Sequence, residues 1–392
     1  MNPLPRTACA PLTIRIEGTG PVALAAALWL VRAGIPAPRI ALPLDQPARS
    51  ILPPAGPRRA LALSDGSRQI LSRVTALPPS GRIAQVEIFQ AGSNGHTRID
   101  ATDFGLPALG HVIEWEALIE ALHRQAEALP FGNPQDEAFA RPAVRVHAGG
   151  LPPRAGRSAT DFSVRDSGQA GLLFEVAVPT TADTAFECFC PDGPLALLPA
   201  PAPDGSPRYT VVWCDTVART QARASLPAGA LEQALREALQ VALGTRELAR
   251  RPWLDSVQVC TPAVAVPLPR TSRRQVTAPG QVWIGNAAQA LHPVAGQGLN
   301  LGLRDAFELA RCLGDAWHQP RPDIAQALAA YARSRQTDRR LTIGTTDLFA
   351  VTFGWPAARR LQSLLLRALH LSTPLRRPLA RALLFGHRAG SR

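Results

Sequence analysis

Residues 282–306 read VWIGNAAQALHPVAGQGLNLGLRDA, and this stretch carries the most specific signal in the chain. A short apolar strand leads into the small-residue turn Gly285-Asn286-Ala287, a loop rich in proline and glycine follows, and a long helix is predicted from about Leu299 to Trp317. The N-terminus of such a helix presents unpaired N–H groups and partial positive charge, which favour an anionic group. Gly296 and Gly298 leave room for a planar ring, and Asn286 can accept a hydrogen bond from a hydroxyl group.

The beginning of the chain contains a second turn of this kind. Leu12 to Glu17 is predicted as a strand, and the GxGxxA motif at 18–23, GTGPVA, opens a predicted helix that runs to Ala33. Gly18 permits the turn, Gly20 lets a pyrophosphate approach the helix N-terminus, and Ala23 fits where helix meets strand. An ordinary βα turn stays open as an alternative. The acid that would bind a ribose is unclear, because residue 44 is a leucine and the nearest acid comes one position later.

Between and after these turns, the hydrophobic pattern predicts alternating helices and strands. Helices are predicted at about 64–76, 115–128, 231–242, 324–352 and 359–384. Strands are predicted at about 39–44, 84–88, 172–178, 185–190, 195–199, 209–214 and 256–266. A strand-turn-helix start, an antiparallel middle and a return to strand, loop and helix indicate an α/β nucleotide-binding domain with an inserted sheet domain.

The stretch GNAAQALHP at 285–293 resembles the second flavin-binding motif of the class A flavin monooxygenases. Its residues are similar to those of the same motif in the 2-polyprenyl-6-methoxyphenol hydroxylase branch, which acts in ubiquinone biosynthesis. Further similar segments follow in order: RALAL at 59–63, ALGHVIE at 108–114, FECFCPDGPLALLP at 186–199, VWC at 212–214, RQTD at 335–338 and TD at 346–347. The resemblance implies a Rossmann-like FAD-binding domain with an inserted mixed or antiparallel sheet domain that holds the substrate, and a helical C-terminus.

On this resemblance the FAD-binding domain is discontinuous. Its parts are predicted at 1–80, at 115–165, which is shortened, and at 271–350. The substrate sheet is predicted at 81–114 and 166–270, and basic helices at 351–392.

The resemblance also implies a set of cofactor-binding residues in and near the two turns. They are Gly18, Gly20, Pro21, Val22, Ala23, Arg59, His111, Gly285, Asn286, Pro293, Gly296, Gln297, Gly298, Leu299 and Asn300. No catalytic side chain is proposed, because a flavin performs the chemistry itself. His292 is interpreted as a loop residue that forms hydrogen bonds, and Arg304 and Asp305 as a helix cap or salt bridge.

The implied function is hydroxylation of the aromatic ring of a polyprenylated phenol in ubiquinone biosynthesis. NAD(P)H would bind transiently and reduce FAD, since no second dinucleotide-binding fold is visible, and O₂ would form a flavin C4a-hydroperoxide. One departure favours an alternative: Gly149 stands where the family has the aspartate of an Asp-Gly motif. A weakened or non-catalytic flavin-fold subunit of a ubiquinone-synthesis assembly therefore stays open.

The net charge of +12 is concentrated at the C-terminal end. The chain has 42 basic residues, and Trp355 to Arg392 contains eight arginines and no acidic residue. Leu361, Leu364, Leu365, Ala368 and Leu371 follow helical spacing, with arginines beside them. Such a helix either lies on an anionic membrane or packs against the body of the protein. A basic nucleic-acid-binding protein is a less favoured alternative, because the tail has little aromatic interleaving.

The sequence shows no clear membrane-targeting segment and no clear metal-binding motif. The longest apolar run is ten residues, too short to cross a bilayer, and no signal-peptide cleavage site follows it. We therefore expect a cytoplasmic protein, with peripheral contact at the inner face of the membrane. The six cysteines lack the spacing of a metal site, and we interpret them as buried thiols.

Overall fold

The computed structural model describes residues 12–46, 57–152, 161–165, 168–180, 183–201, 205–293, 296–352 and 356–386. Its strands in chain order are β1 (Ile14–Glu17), β2 (Ile40–Ala41), β3 (Ala60–Ser64), β4 (Ser80–Ile83), β5 (Gln85–Gln90), β6 (His96–Asp100), β7 (Gly110–Glu114), β8 (Val144–His147), β9 (Phe162–Arg165), β10 (Gln169–Ala177), β11 (Thr184–Cys190), β12 (Gly193–Ala200), β13 (Arg208–Thr216), β14 (Gln258–Val259), β15 (Val264–Pro267), β16 (Arg270–Arg273), β17 (Thr277–Ala278), β18 (Gln281–Trp283) and β19 (Gln289–Ala290). Its helices are α1 (Pro21–Arg32), α2 (Asp65–Leu71), α3 (Trp115–Glu127), α4 (Val217–Ala224), α5 (Ala228–Leu243), α6 (Thr245–Ala249), α7 (Gln297–Trp317), α8 (Ile324–Thr352), α9 (Pro356–Leu371) and α10 (Thr373–Phe385).

A five-stranded sheet of order β17-β18-β8-β1-β2 unites three segments that are far apart in the sequence. β1 pairs in parallel with both β2 and β8, and β8 pairs in parallel with β18. Helices α1, α3 and α7 bury Leu24, Leu122 and Leu309 in the core that contains this sheet. Parallel strands covered by helices are typical of nucleotide-binding α/β folds, as the sequence predicts.

The second large sheet has the order β14-β10-β13-β12-β11-β5-β6, with β15 also paired to β10. Its pairs are antiparallel, except that β11 and β5 run in parallel. Leu231, Leu235 and Leu239 of α5 pack against Phe174 and Phe186 in the core beside this sheet. The predicted mixed or antiparallel sheet is therefore confirmed. Two three-stranded sheets, β3-β7-β4 and β19-β16-β9, complete the described architecture.

Several predicted elements differ from the structure in extent. The strand predicted at 256–266 is divided into β14 and β15, with Pro262 between them, since proline cannot donate to a ladder. The helix predicted at 359–384 is divided into α9 and α10 at Ser372, because Pro374 occupies the first turn of a new helix. The helix predicted to Ala76 ends at Leu71, and the strand predicted at 39–44 is limited to Ile40–Ala41. The proline-rich segment 47–56 lies outside the described residues.

Helices α1 and α7 approach each other through glycine. A Cβ placed at Gly302 would lie 2.9 Å from Cγ2 of Val22. Near the other end of α7, a Cβ at Gly314 would lie 2.7 Å from Cβ of Ala33 and 3.0 Å from its carbonyl oxygen. Both distances are shorter than side chains normally permit, so glycine at these two positions sets the spacing of the helices.

This spacing predicts opposite effects for two glycine-to-alanine substitutions. Gly314→Ala should lower the free energy of unfolding by about 1–2 kcal/mol, because overpacking exceeds the gain in helix propensity. Gly344→Ala on α8 is the control, because a Cβ there would meet no atom within 4 Å. It should leave stability unchanged or raise it. The midpoint of urea unfolding measures both, and equal stabilisation by the two substitutions would contradict the packing described here.

Candidate active site

The first turn joins β1 to α1 and leaves open space at its helix N-terminus. Gly18 has a φ of +131°, and a Cβ there would lie 2.6 Å from the carbonyl carbon of Ala148, so only glycine fits. Gly20 is the N-cap of α1 and has no side chain that could cap the helix. Pro21 follows it as the first helical residue. A Cβ at Gly20 would meet no atom within 4 Å. The first-turn N–H groups, which have no partner within the helix, thus face space that an anionic group can enter.

The second turn lies directly against the first. Gly285 has a φ of +58°, and a Cβ there would lie 3.2 Å from Cγ1 of Val22. Val22 therefore packs between Gly285 of the turn and Gly302 of α7, while Ala23 is fully buried in the core. Asn286, next to Gly285, has an exposed side chain without a hydrogen bond to any residue that the structure describes. Its amide is available to a ligand.

A buried ion-pair network holds the second turn on α7 and α8. Asp305 of α7 accepts hydrogen bonds from the N–H of Gly285 at 3.3 Å and from Nε2 of Gln289 at 2.6 Å. Its other oxygen accepts from Nε of Arg335 at 2.7 Å. Arg304, which precedes Asp305 on α7, pairs at 2.9 Å with Asp338, which lies one turn after Arg335 on α8. The salt-bridge interpretation of Arg304 and Asp305 is confirmed, although α7 begins at Gln297, so that both residues lie two turns inside the helix.

The start of α7 is attached to β3. Gly296 is the N-cap with a φ of +58°, and a Cβ there would lie 2.8 Å from Cβ of Ala62. The Asn300 side chain donates to the carbonyls of Ala62 at 2.9 Å and Gly296 at 2.8 Å, and accepts from the N–H of Ser64 at 2.8 Å. Asn300 thus positions the loop with its amide. Among the described residues, no atom beyond its own helical turn lies within 4 Å of a Cβ placed at Gly298.

A cavity of about 240 Å³ opens beside this loop. The loop and the start of α7 contribute Pro293, Gly296, Gln297 and Asn300 to its wall. The second sheet contributes a mainly apolar face, and α9 and α10 form a further wall. Residues from these walls include Val86, Ile88, Ala185, Glu187, Phe189, Ala196, Val212, Leu365, Leu366, Leu369 and Leu379. Leu299 is half-buried against the main core, and residues 294–295 lie outside the described residues.

Two of the residues predicted to bind the cofactor have partners within the protein. His111 shares a hydrogen bond of 3.0 Å between its Nδ1 and Oγ of Ser80, and its neighbour Gly110 lines the cavity instead. Arg59 is half-buried, with its guanidinium 5.3 Å from the centre of the Trp115 ring. Their contact with a cofactor stays a prediction.

His292 is buried and its Nε2 lies 3.2 Å from Oε1 of Gln169. Burial, followed by the positive charge of Arg270, lowers the pKa of His292 to about 4. It is therefore a neutral loop residue at physiological pH, in agreement with the interpretation from the sequence.

Two features of the cavity were missed by sequence reasoning. Glu187 lines the cavity, where burial raises the pKa of its carboxyl to about 8. The signal was present, since strand alternation places residue 187 on the face opposite Phe186 and Cys188. The second feature is the wall formed by Leu366 and Leu369 of α9, which are buried although the neighbouring leucines are exposed. Its signal was a second apolar stripe beside the one identified.

The arrangement fits an FAD. Gly18, Gly20 and the start of α1 form a cradle for a pyrophosphate, and Val22 and Ala23 place that cradle beside the second turn. Gly285 and the exposed Asn286 come next, where a ribityl chain would pass. Open space at Gly298 and the N-terminus of α7 would then receive the ring.

Comparison with known proteins supports this assignment. Residues 167–338 match a family described as an FAD binding domain. The 3-demethoxyubiquinol 3-hydroxylase of Escherichia coli is 27% identical over 316 residues, which cover 72% of this chain and 74% of that protein. A ubiquinone hydroxylase of Rhodospirillum rubrum is 31% identical over 170 residues, 43% of this chain and 36% of the relative. An uncharacterized protein of Synechocystis is 32% identical over 197 residues, 50% of this chain and 44% of the relative. The matches thus span less than half the length of the latter two relatives.

Solved structures show the same fold. A probable FAD-dependent monooxygenase from Pseudomonas aeruginosa superimposes with a TM-score of 0.67 at 17% identity, over 90% of this chain and 99% of that one. A flavin-dependent brominase superimposes with a TM-score of 0.68 at 12% identity, over 96% and 94% of the two chains. Residues 167–338 are therefore similar to an FAD binding domain, the chain shares its fold with these flavin-dependent enzymes, and its sequence is similar to those of two hydroxylases that act on ubiquinone-type compounds.

The open space at Gly298 predicts how a valine would act there. Gly298→Val should leave the protein folded, because no atom of the described residues beyond its own helical turn lies within 4 Å of the new Cβ, but the branched side chain would occupy the space of the ring and remove FAD. Gly229→Val is a matched control: it is also the second residue of its helix, α5, and also faces open space. Flavin absorbance per chain measures the effect. Full flavin content in Gly298→Val would show that the ring lies elsewhere.

The exposed amide of Asn286 leads to a second prediction, that two substitutions at this position differ in their effect on FAD binding. Asn286→Asp should keep FAD, because aspartate also accepts a hydrogen bond from a ribityl hydroxyl, whereas Asn286→Leu should weaken FAD binding about tenfold by removing that acceptor. The side chain is exposed, so neither substitution should lower stability. Dissociation constants from FAD titration of the deflavinated protein measure both. Equal affinities would show that residue 286 does not contact the cofactor.

Proposed function

We propose that the chain is an FAD-dependent monooxygenase that hydroxylates the aromatic ring of a polyprenylated phenol. The observation that carries this proposal is the shared cavity: one continuous space is lined by the loop at the start of α7 and by the apolar face of the second sheet. A ring bound there would lie next to the flavin. The relationship to ubiquinone hydroxylases supports the same class of substrate.

The residues around the cavity have three separate tasks in this reaction. The turns at Gly18 and Gly285 and the start of α7 hold FAD, and the partial positive charge of the α7 N-terminus favours negative charge on the ring. When bound, FAD supplies the activation of O₂, with electrons from a transiently bound reductant such as NAD(P)H. The apolar walls exclude water from the site.

The walls of the cavity are suited to a hydrocarbon tail. Ile88, Leu198, Leu366 and Leu379 all line the cavity, and Leu365 lies both in its wall and at the protein surface, where 49% of its area is exposed. An isoprenoid tail would be in contact with apolar side chains from the ring position outward. Each buried methylene group of such a tail contributes about 0.8 kcal/mol to binding.

The C-terminal helices also supply a surface suited to a membrane. Leu361, Leu364 and Leu371 of α9 are 70%, 62% and 81% exposed, and Leu375 of α10 is 59% exposed. The alternative in which this stripe packs against the body does not hold, because the buried face of α9 is formed by Leu366 and Leu369 instead.

Exposed arginines flank these leucines at positions 360, 367, 377 and 381. Four arginines near an anionic surface contribute about 1 kcal/mol each, and the leucines add apolar contact with the lipid. Among the described helices, none is long and apolar enough to span a bilayer. Peripheral binding would present the cavity wall at Leu365 to the lipid that dissolves a polyprenylated substrate.

A second candidate function rests on Gly149, which follows β8 where the related enzymes carry an aspartate. A Cβ at Gly149 would meet only ordinary contacts, the nearest being 3.6 Å from the carbonyl oxygen of Glu17. The aspartate is therefore absent although a Cβ would fit at this position. This departure favours a flavin-fold subunit of a ubiquinone-synthesis assembly that binds FAD weakly or does not turn over.

The purified full-length chain distinguishes the two functions. We expect absorbance near 450 nm from bound FAD, and oxidation of NAD(P)H that is stimulated by a prenylated phenol and yields a hydroxylated product. Mass spectrometry of the product and flavin absorbance are the measurements. A yellow protein that forms no product with any prenylated phenol, or a colourless protein that binds added FAD only weakly, would support the non-catalytic subunit. A protein that binds no FAD even when FAD is added in excess would contradict both functions.

Membrane binding is tested by surface substitutions, because truncation before α9 would also remove the buried Leu366 and Leu369. Replacing Leu361, Leu364 and Leu371 with glutamine should reduce flotation with anionic vesicles at low salt at least fivefold, since it removes apolar contact with the lipid. The control replaces three exposed residues elsewhere, Leu226, Val241 and Leu341, with glutamine. Equal flotation of the two variants would contradict a membrane role for α9.

A further inference from the structure

Glu187 is a carboxyl group without a partner in an apolar environment. It lies in the middle of β11, paired with Ile88 of β5 on one side and with Ala196 of β12 on the other. All three residues line the cavity. Glu187 forms no hydrogen bond or ion pair with any residue that the structure describes, and the exposed part of its side chain faces the cavity. An isolated carboxyl group in such a place is costly unless a ligand satisfies it.

The same face of the sheet holds a second polar group of this kind. Thr97 of β6 is opposite Ile88, so Thr97, Ile88, Glu187 and Ala196 form one row across four strands. The Thr97 hydroxyl is buried and finds no hydrogen-bond partner among the described residues. Two polar groups without a hydrogen-bond partner among the described residues, on an otherwise apolar wall, indicate a ligand with a small polar head and an apolar body.

We propose that Glu187 is the residue that binds the phenolic hydroxyl group of the substrate and accepts its proton. This inference rests on the proposed function, because it assigns a role in the reaction of that cavity. The sheet places the carboxyl on the same cavity as Pro293 and Gly296, so a ring bound at Glu187 lies beside the flavin loop.

Proton transfer to Glu187 would activate the substrate ring for hydroxylation. The O–H bond of the phenol breaks, its proton passes to a Glu187 oxygen, and its electron pair stays on the substrate as a phenolate. Delocalised into the ring, that charge makes the ring carbons more nucleophilic toward an electrophilic oxygen. After hydroxylation restores the neutral ring, the carboxyl group can release the proton. Burial raises the pKa of Glu187 to about 8, nearer to that of a phenol than an ordinary carboxyl, which makes it the better base.

Few other titratable groups face this cavity. Cys214 of β13 lines it, and burial raises the pKa of that thiol, so it stays neutral. Arg376 of α10 also lines it and is paired with Asp103 at 2.8 Å. The Cys214 thiol therefore does not titrate near neutral pH, so a change in rate around pH 8 reports on Glu187.

The binding part of the inference is tested with the full-length, FAD-loaded protein and two probes, 4-heptylphenol and its methyl ether, 4-heptylanisole. At about pH 9, where the Glu187 carboxyl is mostly ionised, we expect the wild type to bind the phenol about tenfold more tightly than the ether, because a charged acceptor meets the hydroxyl proton. Glu187→Leu should remove this preference while the affinity for the ether stays unchanged or rises. A preference retained in Glu187→Leu would overturn the proposal, and so would the absence of a preference in the wild type.

The proton-transfer part is tested with Glu187→Gln, which keeps the shape of the side chain. Its hydroxylation rate should fall about 100-fold with flavin content unchanged, and NAD(P)H oxidation should continue without product. The wild-type rate should rise as the pH increases through about 8, because the base must be deprotonated, and the rate of the variant should be independent of pH there. Glu237→Gln, which removes an exposed carboxyl on α5, is the control.

The outcomes separate the two claims. Wild-type activity together with an equally active Glu187→Gln would overturn the role of Glu187 and leave the hydroxylase intact. Absence of hydroxylation by the wild type would remove the proposed function and with it the proton transfer, while the preference for phenol over ether would still decide whether Glu187 binds a phenol.

Discussion

The close contact between α1 and α7 is the constraint on which the site depends. Val22, at the start of α1, packs between Gly285 and Gly302, where a Cβ on either glycine would come within about 3 Å of it. This contact brings together two turns that are more than 260 residues apart in the sequence. Asp305 then fixes the second turn from the other side by accepting from the N–H of Gly285, and Arg335 of α8 donates to Asp305 and holds it in place. The two turns that we propose to bind FAD are thereby held in one fixed relation.

In the proposed function, the second sheet and the C-terminal helices add a site for a lipid-like substrate to the proposed cofactor site. The sheet presents an apolar face with Glu187 as an isolated acid, and α9 contributes Leu366 and Leu369 to the opposite wall. The same helix directs Leu361 and Leu364 outward. One helix thus joins the interior of the cavity to the protein surface, which is the geometry that an enzyme acting on a membrane-dissolved phenol requires. Four of the arginines that give the C-terminal segment its positive charge, at positions 360, 367, 377 and 381, are exposed beside these outward-facing leucines.

Much of the fold could be predicted because local signals were strong. Glycine at 18, 20, 285, 296 and 298 marks turns where no other residue fits or where a ligand must approach, and α7 and α8 have long, regular patterns. Contacts between distant segments could not be predicted. Nothing near Asn300 in the sequence shows that its amide reaches Ala62 and Ser64, and nothing near Glu187 shows that its neighbours across the sheet are Ile88 and Ala196. The break at Ser372 was missed because the apolar pattern continues across it.

The central claim is that this cavity carries out flavin-dependent insertion of one oxygen atom into a phenol. Turnover under ¹⁸O₂ with a prenylated phenol and NAD(P)H tests it most directly, with the product analysed by mass spectrometry. We expect one atom of oxygen-18 in the ring product, and loss of that label in a protein from which FAD has been removed. Bound FAD together with reduced nicotinamide consumption but no labelled product, or label taken from H₂¹⁸O instead of O₂, would contradict the account.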